Sequence, residues 1–163
     1  MMTENEGRST PTELNSETAV DDDALTFMKK AASAGTMEVE LGTLAREKAT
    51  DPRVKNFGDM MVRDHTTANK ALLQLGAQKA VQINVAMKPE HEQMMSDLKK
   101  LSGSQFDRQY IDMMVKDHAK DIQVFESATS NRDPEVNAFA TKTLPVLRKH
   151  LDSAKAIQAS LKK

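Results

Sequence analysis

Hydrophobic residues recur at three- and four-residue intervals over four long stretches of this chain, the spacing of one buried face on an α-helix. The first stretch runs from about Ala24 to Ala49 and sets Phe27, Ala31, Ala34, Leu41 and Ala45 on one stripe. Asp21–Asp23 lead into it, with acidic residues where the helix dipole favours them. Asp51-Pro52 opens the second, which reaches about Lys79 with Val54, Phe57, Met61, Ala68 and Leu72 inward. Asp is a good cap there, and proline suits the first helical position because its missing N–H would be unpaired anyway. Ser104, with Asp107 three residues on, resembles a capping box and opens the third helix, to about Ser130. That helix turns Ile111, Met114, Val115, Ile122 and Phe125 inward. Asp133-Pro134 repeats the start signal, and the fourth helix runs nearly to the C-terminus with Val136, Phe139, Val146, Leu147, Ala154, Ile157 and Leu161 on its stripe. Between the second and third lie an irregular segment, Ala80–Lys88, and a short helix from about Glu90 to Leu101, opened by Pro89 and ended by Ser102-Gly103. Pro145 falls inside the fourth helix, where it should kink the rod or free a carbonyl.

Four helices of roughly 25 residues, paired by short turns, predict an all-α four-helix bundle with a short extra helix in its central connection. That connection is long enough to run the roughly 40 Å length of a helix, so a ferritin-like bundle with one crossover fits. A simple up-down-up-down bundle stays open. Residues 1–22 are polar and carry Pro11, the composition of a disordered tail, which leaves 23–163 for the bundle. The tail shows no signal-peptide pattern, and it also suits the start of a mature exported protein. Asp51-Pro52-x-Val54-x-x-Phe57 returns as Asp133-Pro134-x-Val136-x-x-Phe139, aligning the second helix with the fourth. Met60-Met61-Val62-Arg63-Asp64-His65 returns as Met113-Met114-Val115-Lys116-Asp117-His118, aligning the second with the third. One duplication cannot produce both registers, so the histidine repeat reflects a shared environment.

Composition removes several function classes. A net charge of −1 gives no electrostatic reason to expect nucleic acid. No apolar run approaches the length of a membrane span. Cysteine is absent, so disulfides, thiolate nucleophiles and Cys-based metal sites are excluded. Eleven methionines invite a Cu(I) reading, but gap-filling in a core with one Tyr, five Phe and no Trp explains them. There is no Glu-x-x-His, no His-Glu-x-x-His and no P-loop, so the carboxylate di-iron, zincin and nucleotide-binding patterns are missing.

The candidate chemistry rests on histidine. His65, His118 and His150 each fall on a core stripe, and Glu38 lies in the middle of the first helix's stripe. Glu38 is 13 residues before Asp51 and His65 is 14 after it. His118 is 15 before Asp133 and His150 is 17 after it. At ~1.5 Å per residue all four stand near mid-bundle, which predicts one layer with one residue from each helix. A buried carboxylate is costly alone, and three imidazoles converging on it point to a cation. Three His and one carboxylate favour Zn²⁺, with Fe, Mn or Cu as alternatives. The competing reading is a metal-free polar network in which Glu38 pairs with protonated histidine.

Glu126, two turns past His118, and His91 on the connecting helix are additional ligand candidates, His91 being expected to face solvent. Asp64 and Asp117 are turned about 100° from their histidines and suit hydrogen-bond partners of a ligand or surface charges. Tyr110 suits a hydrogen bond to a ligand or a place at the core edge. Glu40 falls on the polar side of the first helix.

The run Gly35-Thr36-Met37-Glu38-Val39-Glu40-Leu41-Gly42 begins a wider resemblance. It continues through Val54-Lys55-x-Phe57, Met61-Val62-x-Asp64-His65-x-x-Ala68-Asn69, Glu90-His91, Phe106-Asp107-Arg108-x-Tyr110, His118, Phe125-Glu126 and Thr143-Leu144-Pro145-x-Leu147-x-x-His150-Leu151. Together these cover about 24–160, and the chain resembles a bacterial family of ferritin-like domains of unknown function, mostly exported and often labelled outer membrane proteins. The resemblance implies a ferritin-like bundle in the periplasm or otherwise outside the cytoplasm; the residues themselves leave a cytoplasmic location open. It implies no activity or substrate. The leading expectation is a monomeric or dimeric bundle that binds a transition metal ion and serves metal handling or stress protection in the envelope. A structural or interaction module without metal is the alternative, and a metal-dependent oxidoreductase or hydrolase a third reading.

Overall fold

The three Asp caps expected from the sequence are in place. Asp21 accepts from the Ala24 amide at 2.7 Å, Asp51 from Arg53 at 2.8 Å, and Asp133 from Glu135 and Val136 at 3.0 and 3.1 Å. They start α1 (Asp22–Lys48), α2 (Pro52–Gln78) and α5 (Pro134–Leu161). Two further helices, α3 (Pro89–Lys99) and α4 (Gly103–Ala128), complete the computed structural model, which describes residues 20–162. No strand occurs among the described residues. The expected tail lies largely outside them, but Val20, placed in that tail, packs against the core around Phe27.

Two expectations at the start of α4 are corrected. Ser102-Gly103 does not end α3. Ser102 is the N-cap of α4, without a side-chain bond, and Gly103 takes the left-handed φ of +58°. Asp107 makes no capping box with Ser104. Its carboxylate accepts instead from the Thr50 amide (3.0 Å), the Thr50 hydroxyl (2.8 Å) and the Asp51 amide (2.9 Å). The exposed amides of the α1–α2 turn need acceptors, and a buried carboxylate supplies both.

Those bonds decide the topology. The α1–α2 turn sits at the end of the bundle where α4 begins. At the opposite end, Lys79 closes α2 and pairs with Asp133 at the start of α5, 2.7 Å apart. Hence α2 and α4 run parallel, and residues 79–102 must travel the whole length between them. α1 packs most extensively on α2, and α4 on α5; α1 also packs on α4, and α2 on α5. This is the ferritin-like arrangement with one crossover. The helix α3 in that crossover packs on α1 and α4. α1 and α2 approach closely where Gly42 faces Gly58: a Cβ on either would come within 2.9 or 2.8 Å of the other's carbonyl oxygen.

The apolar core has two parts. One, near the α1–α2 turn, gathers Leu41, Phe57, Met61, Phe106, Ile111 and Met114. The other, near the α4–α5 turn, gathers Phe27, Leu72, Ile122, Phe125 and Leu147. Five methionines, including Met61 and Met114, are buried as packing. On α5 the buried stripe is Val136, Ala140, Leu144, Leu147, His150 and Ala154, so Val146, expected inside, is 38% exposed. The helix continues through Pro145. Between the two apolar clusters lies the layer that carries the histidines.

Candidate metal centre

His65 follows Met61 by one turn on the buried face of α2, His118 follows Met114 on α4, and His150 follows Leu147 on α5. The stripes that bury the methionines and leucine therefore carry the imidazoles into the core. Their exposures are 6%, 0% and 0%. The ring centroids of His65 and His118 are 5.8 Å apart, and His150 is 5.3 Å from each. One nitrogen from each ring lies within 4.8 Å of the others, a spacing that can hold a metal ion.

The outer bonds of two rings fix their inner nitrogens. Nδ1 of His118 is 2.9 Å from the Met114 carbonyl oxygen, which can only accept, so Nδ1 carries the proton and Nε2 keeps a free lone pair. Nε2 of His150 donates to Asp64 Oδ2 at 2.7 Å, so its Nδ1 is free. Burial works against the Asp64 charge, but the bonds from His150 and Arg63 hold its carboxyl below the ordinary value. Nε2 of His65, Nε2 of His118 and Nδ1 of His150 are buried with no hydrogen-bond partner. A carboxylate or carbonyl on the outer nitrogen is the arrangement that orients an imidazole toward a metal.

Burial favours the neutral form of all three rings. Burial, reinforced by His118 and His150, pushes His65 down to about 3. Burial and His150 push His118 down to about 4, against the bond to Met114. His150 is lowered by burial even though Asp64 pulls it up. Neutral imidazole is the form that binds metals.

Glu38, expected in the same layer, is fully buried but is not in the mutual 4.8 Å set. Both of its oxygens lack partners. Burial, then the charges of Asp121 and Asp117 on α4, raise its carboxyl well above the ordinary value. The structure thus groups Glu38 electrostatically with α4 carboxylates.

The remaining candidates spread out. Glu126 is a correction: eight residues turn it about 80° from His118, and it forms an exposed pair with Arg148 at 3.0 Å. His91 does not face open solvent; it is half-buried, and its Nδ1 is buried without a partner. Asp117 is also half-buried, with an unpartnered Oδ2. Tyr110 sits inside the core rather than at its edge, stacked on Phe106 at 6.0 Å and edge-on to Phe57 at 6.1 Å. Its hydroxyl has no partner; burial and then the nearby Glu38 raise its pKa well above the ordinary value. Glu40 is exposed. Asp121 went unnoticed in the sequence. Its signal is the spacing Asp117-x-x-x-Asp121, which stacks two carboxylates beside the His118 stripe.

The fold and site define an all-α bundle of ferritin-like connectivity with a histidine cluster at mid-core. The chain belongs to the family described as Domain of unknown function (DUF4142), whose model matches residues 9–157. Its fold is similar to the crystal structure of a DUF305 fragment from Deinococcus radiodurans, with a TM-score of 0.77 and 15% identity over 87% of this chain and 99% of that one. At that identity the likeness speaks for the fold alone. No curated protein matches the chain. Among the described residues no helix is long and apolar enough to cross a membrane.

Proposed function

We propose that this protein binds one transition metal ion through His65, His118 and His150, with Zn²⁺ the favoured ion and Fe, Mn or Cu the alternatives. The observation that carries this reading is the set of three buried, unpartnered imidazole nitrogens on neutral rings. Unpaired buried acceptors each cost on the order of 1–3 kcal/mol, and a metal ion would satisfy all three at once. Three nitrogens leave room for a further oxygen donor, which suits a centre that exchanges its ion or binds a small ligand. Glu38 supplies a buried acid on the facing helix. The role that goes with this reading is metal handling or stress protection outside the cytoplasm, a location that rests on the family resemblance.

Titration of the tag-free protein with Co²⁺ tests the site. The expected result is a visible absorption band saturating at one equivalent, lost in the His65→Ala/His118→Ala double variant and retained in Glu126→Gln. A featureless titration of a folded wild type would refute the assignment.

A further inference from the structure

The histidine layer is buried, so an ion needs a way in. On the outside, α1, α3 and α4 enclose a cleft of about 470 Å³. Its walls carry the carboxylates of Glu90, Asp112, Asp117 and Asp121, against two lysines, Lys116 and Lys120. On the inside, a cavity of about 20 Å³, room for roughly one water, is lined in part by His65. Ala34 and Asp121 line both the cleft and this cavity. Two side chains therefore form the wall between the acidic exterior and a histidine of the centre.

The chemistry of the cleft fits a cation. Asp117 and Asp121 stand one turn apart on α4 and both line the cleft. Asp117 Oδ2 and His91 Nδ1 are buried without partners. Carboxylates of α3 and α4 thus line the opening, and no salt bridge ties them to a basic group among the described residues. A concave surface on which carboxylates outnumber ammonium groups, four to two here, favours cations and speeds their arrival. At this level α1 contributes Ser33-Ala34-Gly35-Thr36, small residues that leave the wall thin.

We propose that this cleft is the loading route of the metal centre, with Asp121 as the carboxylate that passes a divalent cation from Asp117 to His65. The proposal rests on the metal reading above. A second depression touches the inner cavity through Ala68, Phe139 and Thr143. Its one carboxylate, Asp64, is already bonded to His150, and Lys142 stands on its rim.

Stopped-flow absorption of Co²⁺ binding to the full chain tests the route. Asp121→Asn replaces the carboxyl group with an amide, and Ala34→Leu thickens the wall. Each is expected to slow association about tenfold while leaving Kd within about threefold, because a route acts on entry and exit alike. Added salt should slow the wild type more than Asp121→Asn. Lys142→Glu should bind at the wild-type rate. Wild-type rates in both cleft variants would overturn the route, as would a rate change confined to Lys142→Glu. A Kd that weakens in step with the slower association in Asp121→Asn would also overturn it, making Asp121 a ligand. Absence of any Co²⁺ binding by the wild type would instead refute the metal reading itself.

Discussion

At the scale of single residues, the centre depends on rings kept neutral and aimed by their outer bonds. Asp64 is the clearest positioning residue, since its bond to Nε2 of His150 leaves Nδ1 for the centre. Asp64→Asn is expected to weaken Zn²⁺ binding about 10- to 100-fold with the fold intact, measured by competition with a chromophoric chelator. Unchanged affinity would remove Asp64 from the centre. The depressed histidines also predict an acid sensitivity. Between about pH 6.5 and 4 the unfolded chain takes up protons that His65 and His118 refuse, so the metal-free fold loses stability as pH falls. The slope is about 1.4 kcal/mol per pH unit for each ring. Asp121, pushed up to about 7 by burial and then by Asp117, acts with the opposite sign. Its native form holds a proton that the unfolded chain gives up, a contribution present at low pH and lost as pH rises through 7. Urea unfolding of the metal-free His65→Gln variant should therefore show an acid loss between pH 6.5 and 4.5 smaller than wild type by about 2 kcal/mol. Equal losses would mean that His65 is not held neutral. The histidines were legible in the sequence because each sits on an apolar stripe. Asp121 was not, because an acid at the border of a stripe looks like any solvated charge until it is seen to line the cavity beside His65.

At the scale of elements, caps and turns carry the design. Asp107 holds the α1–α2 turn through three bonds, and Asp107→Ala is expected to cost about 2 kcal/mol in urea unfolding by removing a charged acceptor from partly buried donors. A cost below about 1 kcal/mol would show that water replaces the carboxylate. The end of α2 carries a removable strain. Val81 donates to the Gly76 carbonyl at 2.8 Å and Ala80 to that of Ala77 at 3.1 Å, a turn that puts Ala80 at a left-handed φ of 54°. Ala80→Gly should stabilise the protein by about 1 kcal/mol, seen as a raised Tm. A lowered Tm would contradict the strain. The helix starts were readable because Asp-Pro and the acidic run at 21–23 have local causes. The start of α4 was misread because the partner of Asp107 is the α1–α2 turn, more than fifty residues away. Val146 was misplaced for a related reason: Val146 and Leu147 are adjacent, and the neighbouring helices decide which of them is buried.

At the scale of the whole molecule, two hairpins joined by one crossover bring three helices to a common point, while the fourth, α1, contributes small residues and a buried acid, Glu38, outside the set. Spacing from the turns gave the depth of the layer, and it served for the three histidines. It could not give direction within the layer, which is why Glu38 shares the core but not the mutual 4.8 Å set. The crossover topology was one of two open readings, because connection length permits a long traverse without requiring it. The central claim is that the three imidazoles hold an ion together. The most direct measurement is metal content by elemental analysis of tag-free protein, loaded with Zn²⁺ and passed over a desalting column. Wild-type protein should carry one Zn²⁺ per chain and the His65→Ala/His118→Ala variant none; a wild type that retains no Zn²⁺, or a variant that retains as much as wild type, would rule out a shared ion.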